Sequence, residues 1–500
     1  MTDIVQAIPG ALAEVFQLSN LGFLVFGVVV GLAVGAVPGI GGFSAMALLL
    51  PFSFTMEPQA AIGMMLGIAA ASTISDTAPA ILFGVPGSAA AQATVLDGHA
   101  LARKGEAARA LGASYSAAML GGLFGAGFLL LAIPVARVLV KAFGSPELFA
   151  LGLIGVAMTG SLSGNAPLKG LAAGGLGLLL GMIGFDQVTG SLRWTFGSLY
   201  LYDGLPLVVV ALGLFGIPEL LQLMHGGERI SGGDNPTIGS ILEGIKDTFR
   251  NWFLVIRTSA IGVFTGTVPG LGGAVVDWFA YGHALQTEKG AHETFGKGDI
   301  RGVIGVDAAA NAKDGGGLLP TLFFGVPGST VTALLLTVFL VHGIQPGPAL
   351  ATTGVELTLA IVFSLVIANV LGGSIMLILG KSIAKISLVP IHIVSPIVIA
   401  LIVFASVQAT ANPRDLLVLG VFGLVGAVMK DTGWPRPPLL VGFILSPILE
   451  RYYFISTQRY GYSWLLRPWV VVALSISVFV VVGAIRQLRK VRRRASEVAA

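Results

Sequence analysis

The chain has 500 residues, 55% hydrophobic and 11% charged, with a formal net charge of +4 and a mean hydropathy of +0.88. Soluble domains carry about a quarter charged residues, so this balance excludes a soluble globular protein and describes a polytopic membrane protein. The chain has no cysteine, which excludes disulfides, thiol catalysis and thiolate metal sites. Its 70 glycines and 25 prolines suit close helix packing and broken helices in lipid.

The first 20 residues contain Asp3 and Glu14 but no Lys or Arg, so they lack the basic start of a cleaved signal peptide. Ile4, Ile8, Leu12, Val15 and Phe16 fall at helical spacing, which predicts an interfacial amphipathic helix. An apolar run is then broken by "VPGIGGFSAM" from Val37, and a second break, "FGVPGSAAA", begins at Phe83. Both recur in order, as "VPGLGGAVVD" from Val268 and "FGVPGSTVT" from Phe324. Between and after them Leu111–Ile133, Gly204–Leu223, Leu357–Gly380, Val389–Ala409 and Trp469–Ile485 approach or exceed the roughly 20 residues that a spanning helix needs. Arg486, Arg489, Lys490, Arg492, Arg493 and Arg494 follow the last run and predict a cytoplasmic C-terminus.

Charge gives the two motif pairs opposite orientations. Between the first pair, "FTMEPQA" has no Lys or Arg, whereas "LARKGEAARALG" after it has Arg103, Lys104 and Arg109. In the second pair the order reverses: "QTEKGAHETFGKGDIR" holds Lys289, Lys297 and Arg301, and the later "HGIQPGPALATTG" holds none. Equivalent loops then lie on opposite sides of the membrane, the pattern of inverted-topology repeats. The expected fold is an all-α polytopic membrane protein with Pro/Gly-broken helices or re-entrant hairpins and about 10–13 membrane segments. Residues 1–240 form the first repeat, with a polar connector from about 224, and 241–500 the second, with a basic tail at 486–500. The N-terminus is then periplasmic, and Arg137 and Lys141 fall on the outside, against the charge rule.

A Pro-Gly break at membrane depth frees backbone groups that lipid cannot satisfy, so it must face protein or a polar cavity. The helix that resumes after each break offers bare N–H groups and a positive dipole end to an anion. The candidate substrate-binding residues are therefore Pro38, Gly39, Gly41, Gly42 and Ser44, Pro86, Gly87 and Ser88, Pro269, Gly270, Gly272 and Gly273, and Pro327, Gly328, Ser329 and Thr330. Ionisable residues near that depth are candidates for coupling to a cation, Na⁺ or H⁺. They are Asp76, Asp277, Asn311 and Asp314, with mutual neutralisation of Lys313 and Asp314 as the bland alternative. The six histidines show no metal-ligand spacing, so neither a metal site nor another cofactor is expected.

Two other functions meet obstacles in the same residues. Tyr202-Asp203 and the GKGD of Gly296–Asp299 resemble the short motifs of intramembrane aspartyl proteases, whose carboxylates must share a proton. Here GKGD lies in a charged loop, and the charge-based topology sets Asp203 outside and Asp299 inside. A passive anion channel needs a continuous polar face, which the apolar runs lack.

On "GLAVGAVPGIGG", "GVPGSAAAQATVLDGHALARKGEAARALG", "TVPGLGG", "GVPGSTVTALLL" and "HGIQPGP", the chain resembles the large membrane subunit of the tripartite tricarboxylate transporters, the TctA family, over nearly its whole length. The resemblance implies a carrier of the bacterial inner membrane, driven by an ion gradient, that accepts a carboxylate from a periplasmic binding protein. It also implies a partner, a small membrane subunit of about four helices. Where the family usually has Asn-Asn this chain has Ala310-Asn311, and where it usually has Gly-Gly this chain has Ser75-Asp76. These departures mark a divergent branch and leave the particular carboxylate open.

Overall fold

The computed structural model describes residues 2–37, 41–84, 86–142, 144–161, 167–186, 190–218, 221, 240–268, 272–383, 400, 403, 406–407, 410 and 412–482. Pro38, Gly39, Pro269 and Gly270, the connector up to 239, most of the run 389–409 and the basic tail lie outside the described residues.

The chain is helical. In order come α1 (Thr2–Val15), α2 (Leu18–Gly35), α3 (Gly41–Ser53), α4 (Pro58–Ser75), α5 (Thr77–Phe83), α6 (Thr94–Arg103), α7 (Ala107–Ala142), α8 (Ser145–Ser161) and α9 (Pro167–Gly181). Beyond the connector follow α10 (Ile241–Arg250), α11 (Trp252–Thr267), α12 (Gly272–Thr287), α13 (Ile300–Phe324), α14 (Thr330–Val341), α15 (Val355–Ile383), α16 (Asp415–Asp431) and α17 (Pro437–Tyr460). Among the described residues five helices are long and apolar enough to cross a membrane, and six shorter helices are apolar. Among the described residues the one sheet is a two-stranded hairpin, β1 (Gly184–Phe185) pairing antiparallel with β2 (Leu192–Arg193). Arg193 pins it to α17 through both carboxylate oxygens of Glu450, at 2.6 and 2.7 Å.

Burial separates core helices from lipid-facing ones. The span Pro58–Leu82 is 89% buried, against 39% for Leu18–Gly35 and 44% for Ala107–Val138, so the α4–α5 segment is central. It can therefore carry Ser72, Ser75, Asp76 and Thr77 without exposing them to hydrocarbon. α13 is likewise buried along most of its length.

Small residues bring these core helices into backbone contact. Gly27, Gly31 and Gly35 line one face of α2, where any Cβ would run into the carbonyls of Met64, Ile68 and Ser72 on α4. Gly262 and Gly266 of α11 press in the same way on Ala309 and Lys313 of α13. Without a hydrophobic drive between helices in lipid, such close approach supplies the packing energy. The two seams occupy matching positions relative to the two motif pairs.

The loops sort by charge to opposite ends of α7. At its start Arg109 bonds to Asp247 of α10 at 2.6 Å, and Lys104 Nζ donates to the Lys297 carbonyl at 2.5 Å. The basic stretches around 103–109, 246–250 and 289–301 therefore share one end. Arg137 lies 28 residues further along α7, about 40 Å at 1.5 Å per residue. There Arg137 Nε donates to the Ala351 carbonyl at 2.6 Å and its guanidinium lies 3.9 Å from Asp3. Its charge is thus matched locally, which explains how it can sit opposite the basic loops. The loops poor in Lys and Arg meet at that end too, since His342 Nε2 lies 2.8 Å from the Ser53 carbonyl.

Candidate functional site

The described ends of the two GVPGS breaks share a backbone geometry. α5 ends at Gly84 (φ 70°, ψ 16°), whose N–H returns to the Pro79 carbonyl, and α13 ends at Gly325 (φ 67°, ψ 20°), whose N–H returns to Pro320. Left-handed backbone of this kind is what glycine tolerates at a helix end. The chain then extends to Ser88 (φ −142°, ψ 176°) and to Ser329 (φ −149°, ψ 173°), each of which caps the next helical turn. Ser88 Oγ accepts from Ala90 N at 3.0 Å. Ser329 forms a reciprocal capping box with Thr332, at 3.2 and 2.8 Å. Thr330 is the first residue of α14.

Gly87 and Gly328 are wedged alike. A Cβ on Gly87 would lie 2.5 Å from the Asp76 carbonyl and 2.8 Å from that of Gly35; one on Gly328 would lie 2.8 Å from both the Gly266 carbonyl and Gly317 Cα. Neither glycine has positive φ, so close approach to neighbouring backbone, and not an unusual φ, requires the missing side chain. Gly41 differs, starting α3 at φ 63° with Ser88 Cβ 3.3 Å from where its own Cβ would be. Gly42 faces Ser72, and Ser44 is buried on α3. Gly272 and Gly273 begin α12. Pro86 is half-buried and Pro327 buried.

The helices that follow the breaks cross over at the centre. α12 packs on the turn at Ala89–Ala91, and α14 packs on α3. Met46, Met65, Asp314, Leu318, Thr332 and Leu335 line a small cavity at the second crossing.

Around these crossings the ionisable candidates gather. Asp76 is buried at the end of α4, with Ser88 Oγ donating to its Oδ2 and no hydrogen-bond partner for Oδ1. Lys313, Asp307 and Asp314 lie within electrostatic reach of it. Asn311 is buried on α13; its Nδ2 makes a long 3.4 Å bond to the Asp307 carbonyl and its Oδ1 has no partner. Asp314 accepts from Lys313 Nζ at 2.8 Å through Oδ1, while Oδ2 has no partner. Asp277 of α12 is fully buried, faces the backbone of Ala93, and has neither oxygen in a normal-length hydrogen bond. Asp76, Asn311 and Asp314 thus each carry one buried oxygen acceptor without a hydrogen bond, and among the described residues no group of three or more His, Asp or Glu side chains converges to hold a metal ion.

Two buried carboxylates were not among the candidates chosen from the sequence. Asp307 is fully buried and accepts from Thr94 Oγ1 at 2.6 Å; its stretch was visible, but Thr94 is 213 residues away. Asp97, in "VLDGHALARKG" just ahead of the basic linker, drew no reading from the sequence yet is fully buried. The protease reading finds no dyad. Asp203 lies in the turn after Leu199–Leu201, next to Tyr202, whose carbonyl accepts from Phe185 N–H at 2.8 Å. Asp299 caps α13 and pairs with Arg301 at 2.6 Å. Burial works against its charge, but bonds from Arg301 and Thr294 outweigh it and hold the carboxyl below its usual range, so it is not the acid that keeps a proton.

Spanning helices, backbone broken at their centre and buried oxygen acceptors define a polytopic membrane transporter. The chain belongs to the tripartite tricarboxylate transporter TctA family, whose model matches residues 21–441. It is a transporter and not an enzyme. It is 34% identical over 461 residues, 90% of each chain, to an uncharacterized 52.8 kDa protein of the TAR-I ttuC' 3' region of Agrobacterium vitis. It is 33% identical over 194 residues, 38% of this chain and 78% of the relative, to an uncharacterized protein of the TAR-II ttuC' 3' region of the same organism. No solved structure matches it significantly.

Proposed function

We propose that this chain is the permease subunit of a binding-protein-dependent tripartite system that takes up a di- or tricarboxylate, or a related organic acid, across the bacterial inner membrane with Na⁺ or H⁺. The observation that carries the reading is the matched pair of broken segments, Gly84–Ser88 and Gly325–Ser329, set beside unfilled buried oxygens. The positive dipole end at the start of α14 favours a carboxylate, although Ser329 already takes the Thr332 N–H, and carboxylate oxygens favour the coupling cation. The candidate carboxylate ligands are the described glycines and hydroxyls at the four breaks, with Pro38, Gly39, Pro269 and Gly270 in the same motifs. Asp76, Asn311, Asp314 and Asp277 are the candidate cation ligands.

The two motif-bearing segments are, on this reading, inverted repeats. Support comes from the matching glycine seams of α2 on α4 and α11 on α13, and from basic loops that share one end of α7. Because the chain is free of cysteine, topology is simple to test. Cysteines replacing the exposed Glu57 and Arg103 are expected to react with an impermeant thiol reagent from opposite faces, Arg103→Cys from the cytoplasm. Labelling of both from one face removes the inverted arrangement.

The family membership also implies partners, a periplasmic binding protein and a small membrane subunit. In liposomes this chain with both partners and a carboxylate that the binding protein holds is expected to accumulate it under an ion gradient, and the chain alone to give no uptake above background. Vigorous uptake by the chain alone, or none by the full set with any carboxylate that binds, counts against the proposal.

A further inference from the structure

The GKGD turn, which holds no protease dyad, grips a different carboxylate. Gly296 and Gly298 have φ of 75° and 94°. With this left-handed backbone the consecutive N–H groups of Gly298 and Asp299 converge on one point, as in the backbone nests that bind anions. The anion is Asp97 of α6. Its Oδ1 accepts from Gly298 N at 2.8 Å and Asp299 N at 2.9 Å, and its Oδ2 from the Tyr281 hydroxyl at 2.9 Å. Asp97 is fully buried, and Gly302 makes room for it, since a Cβ there would overlap Oδ2. Lys104 Nζ adds its bond to the Lys297 carbonyl. Residues 97–104, which follow the first motif pair, are thereby tied to residues 281–299, which lie between the second pair.

All of these bonds lie at the basic-loop end, and the opposite end closes with other chemistry. There α3 and α14 pack on each other, with the His342 contact to the Ser53 carbonyl at the rim. A buried carboxylate fully supplied with donors is strongly held while the seam is closed. Once the seam parts, water replaces each of its bonds at small net cost. A gate that must open repeatedly needs that combination.

We infer that Asp97 seated in the nest at 296–299 is the latch that closes the carrier at its basic-loop end and is released whenever the central site opens to that side. This rests on the proposed reading of the chain as an ion-coupled carrier built from inverted repeats, whose central site opens to one face at a time. The test uses a reporter at Ala310→Cys, a position buried next to Asn311, in the full chain in sealed vesicles without substrate. An impermeant maleimide is applied to the face from which Arg103→Cys reacts, and separately to the other face.

Adding Asp97→Ala to the reporter is expected to raise labelling from the basic-loop face about tenfold or more, the equivalent of one hydrogen bond to a charged group. Labelling from the other face should not rise. Unchanged labelling overturns the latch, and so does an equal rise from both faces, which is the mark of a loosened fold. If the Asp97→Ala protein fails to insert, Tyr281→Phe removes one donor while keeping the ring. A smaller rise confined to the same face supports the latch, and no rise overturns it. No cargo is present in this measurement, so its outcome is separate from the carboxylate uptake assay with the partner subunits.

Discussion

Replacing Gly328 with leucine is expected to reduce uptake by about 100-fold or more, the scale of a displacement near 1 Å at a reacting or binding centre, while the protein still inserts. A Cβ at this position would meet the Gly266 carbonyl and Gly317 Cα, both at 2.8 Å. These are backbone atoms of α11 and α13, which themselves lie in contact along the Gly266 seam and cannot yield as a side chain can. The strain therefore falls on the broken segment and pulls Ser329 off its reciprocal cap with Thr332. Gly87→Leu is expected to behave alike, since Gly87 is wedged between the carbonyls of Asp76 and Gly35. Ser329→Ala should be milder, losing about 1 kcal/mol of helix capping and leaving the backbone in place. Uptake kinetics in the reconstituted tripartite system, alongside size-exclusion profiles of each variant, measure this. Wild-type uptake in both leucine variants would remove the breaks from the transport path and leave them as packing devices.

The membrane class, the two motif pairs and their apolar surroundings were legible because each is local or compositional. Backbone breaks announce themselves as Pro-Gly in an apolar run, and Gly84 and Gly325 adopt the left-handed helix ends that such motifs permit. The basic loops could be assigned to a common end because charge beside a spanning helix needs no knowledge of packing. What stayed hidden was pairing across the chain. The Asp97 grip on Gly298 and Asp299 spans 201 and 202 residues, and the Thr94 bond to Asp307 spans 213. Nothing near Asp97 in sequence says that it is buried, because its neighbours Arg103 and Lys104 mark a loop. The sequence announces glycine at 87 and 328 but not what surrounds it: neither has positive φ, and backbone of neighbouring helices stands where a side chain would go.

Asp76→Asn is expected to weaken the dependence of uptake on the coupling cation by about tenfold or more in apparent affinity, with the substrate KM changing less than about threefold. The reasoning begins with what asparagine preserves. It has the volume of aspartate and still offers an oxygen to Ser88 Oγ. The Gly87 N–H bond to the Asp76 carbonyl, 3.1 Å, is backbone and is untouched. The broken segment therefore keeps its support, and what is lost is a carboxyl group able to take negative charge beside Lys313, Asp307 and Asp314. A cation held by oxygens at membrane depth depends on that charge, whereas a carboxylate held at capped helix starts does not. Asp314→Asn should differ in kind, because it removes the negative charge of the 2.8 Å partner of Lys313 and leaves a largely buried ammonium without its counter-charge, a change that commonly costs about 3–5 kcal/mol of stability. Uptake titrated against Na⁺ and against pH at fixed substrate, then against substrate at saturating cation, separates the two effects. If Asp76→Asn leaves both cation titrations unchanged and raises KM for the carboxylate, Asp76 belongs to the substrate site and the coupling cation is held elsewhere.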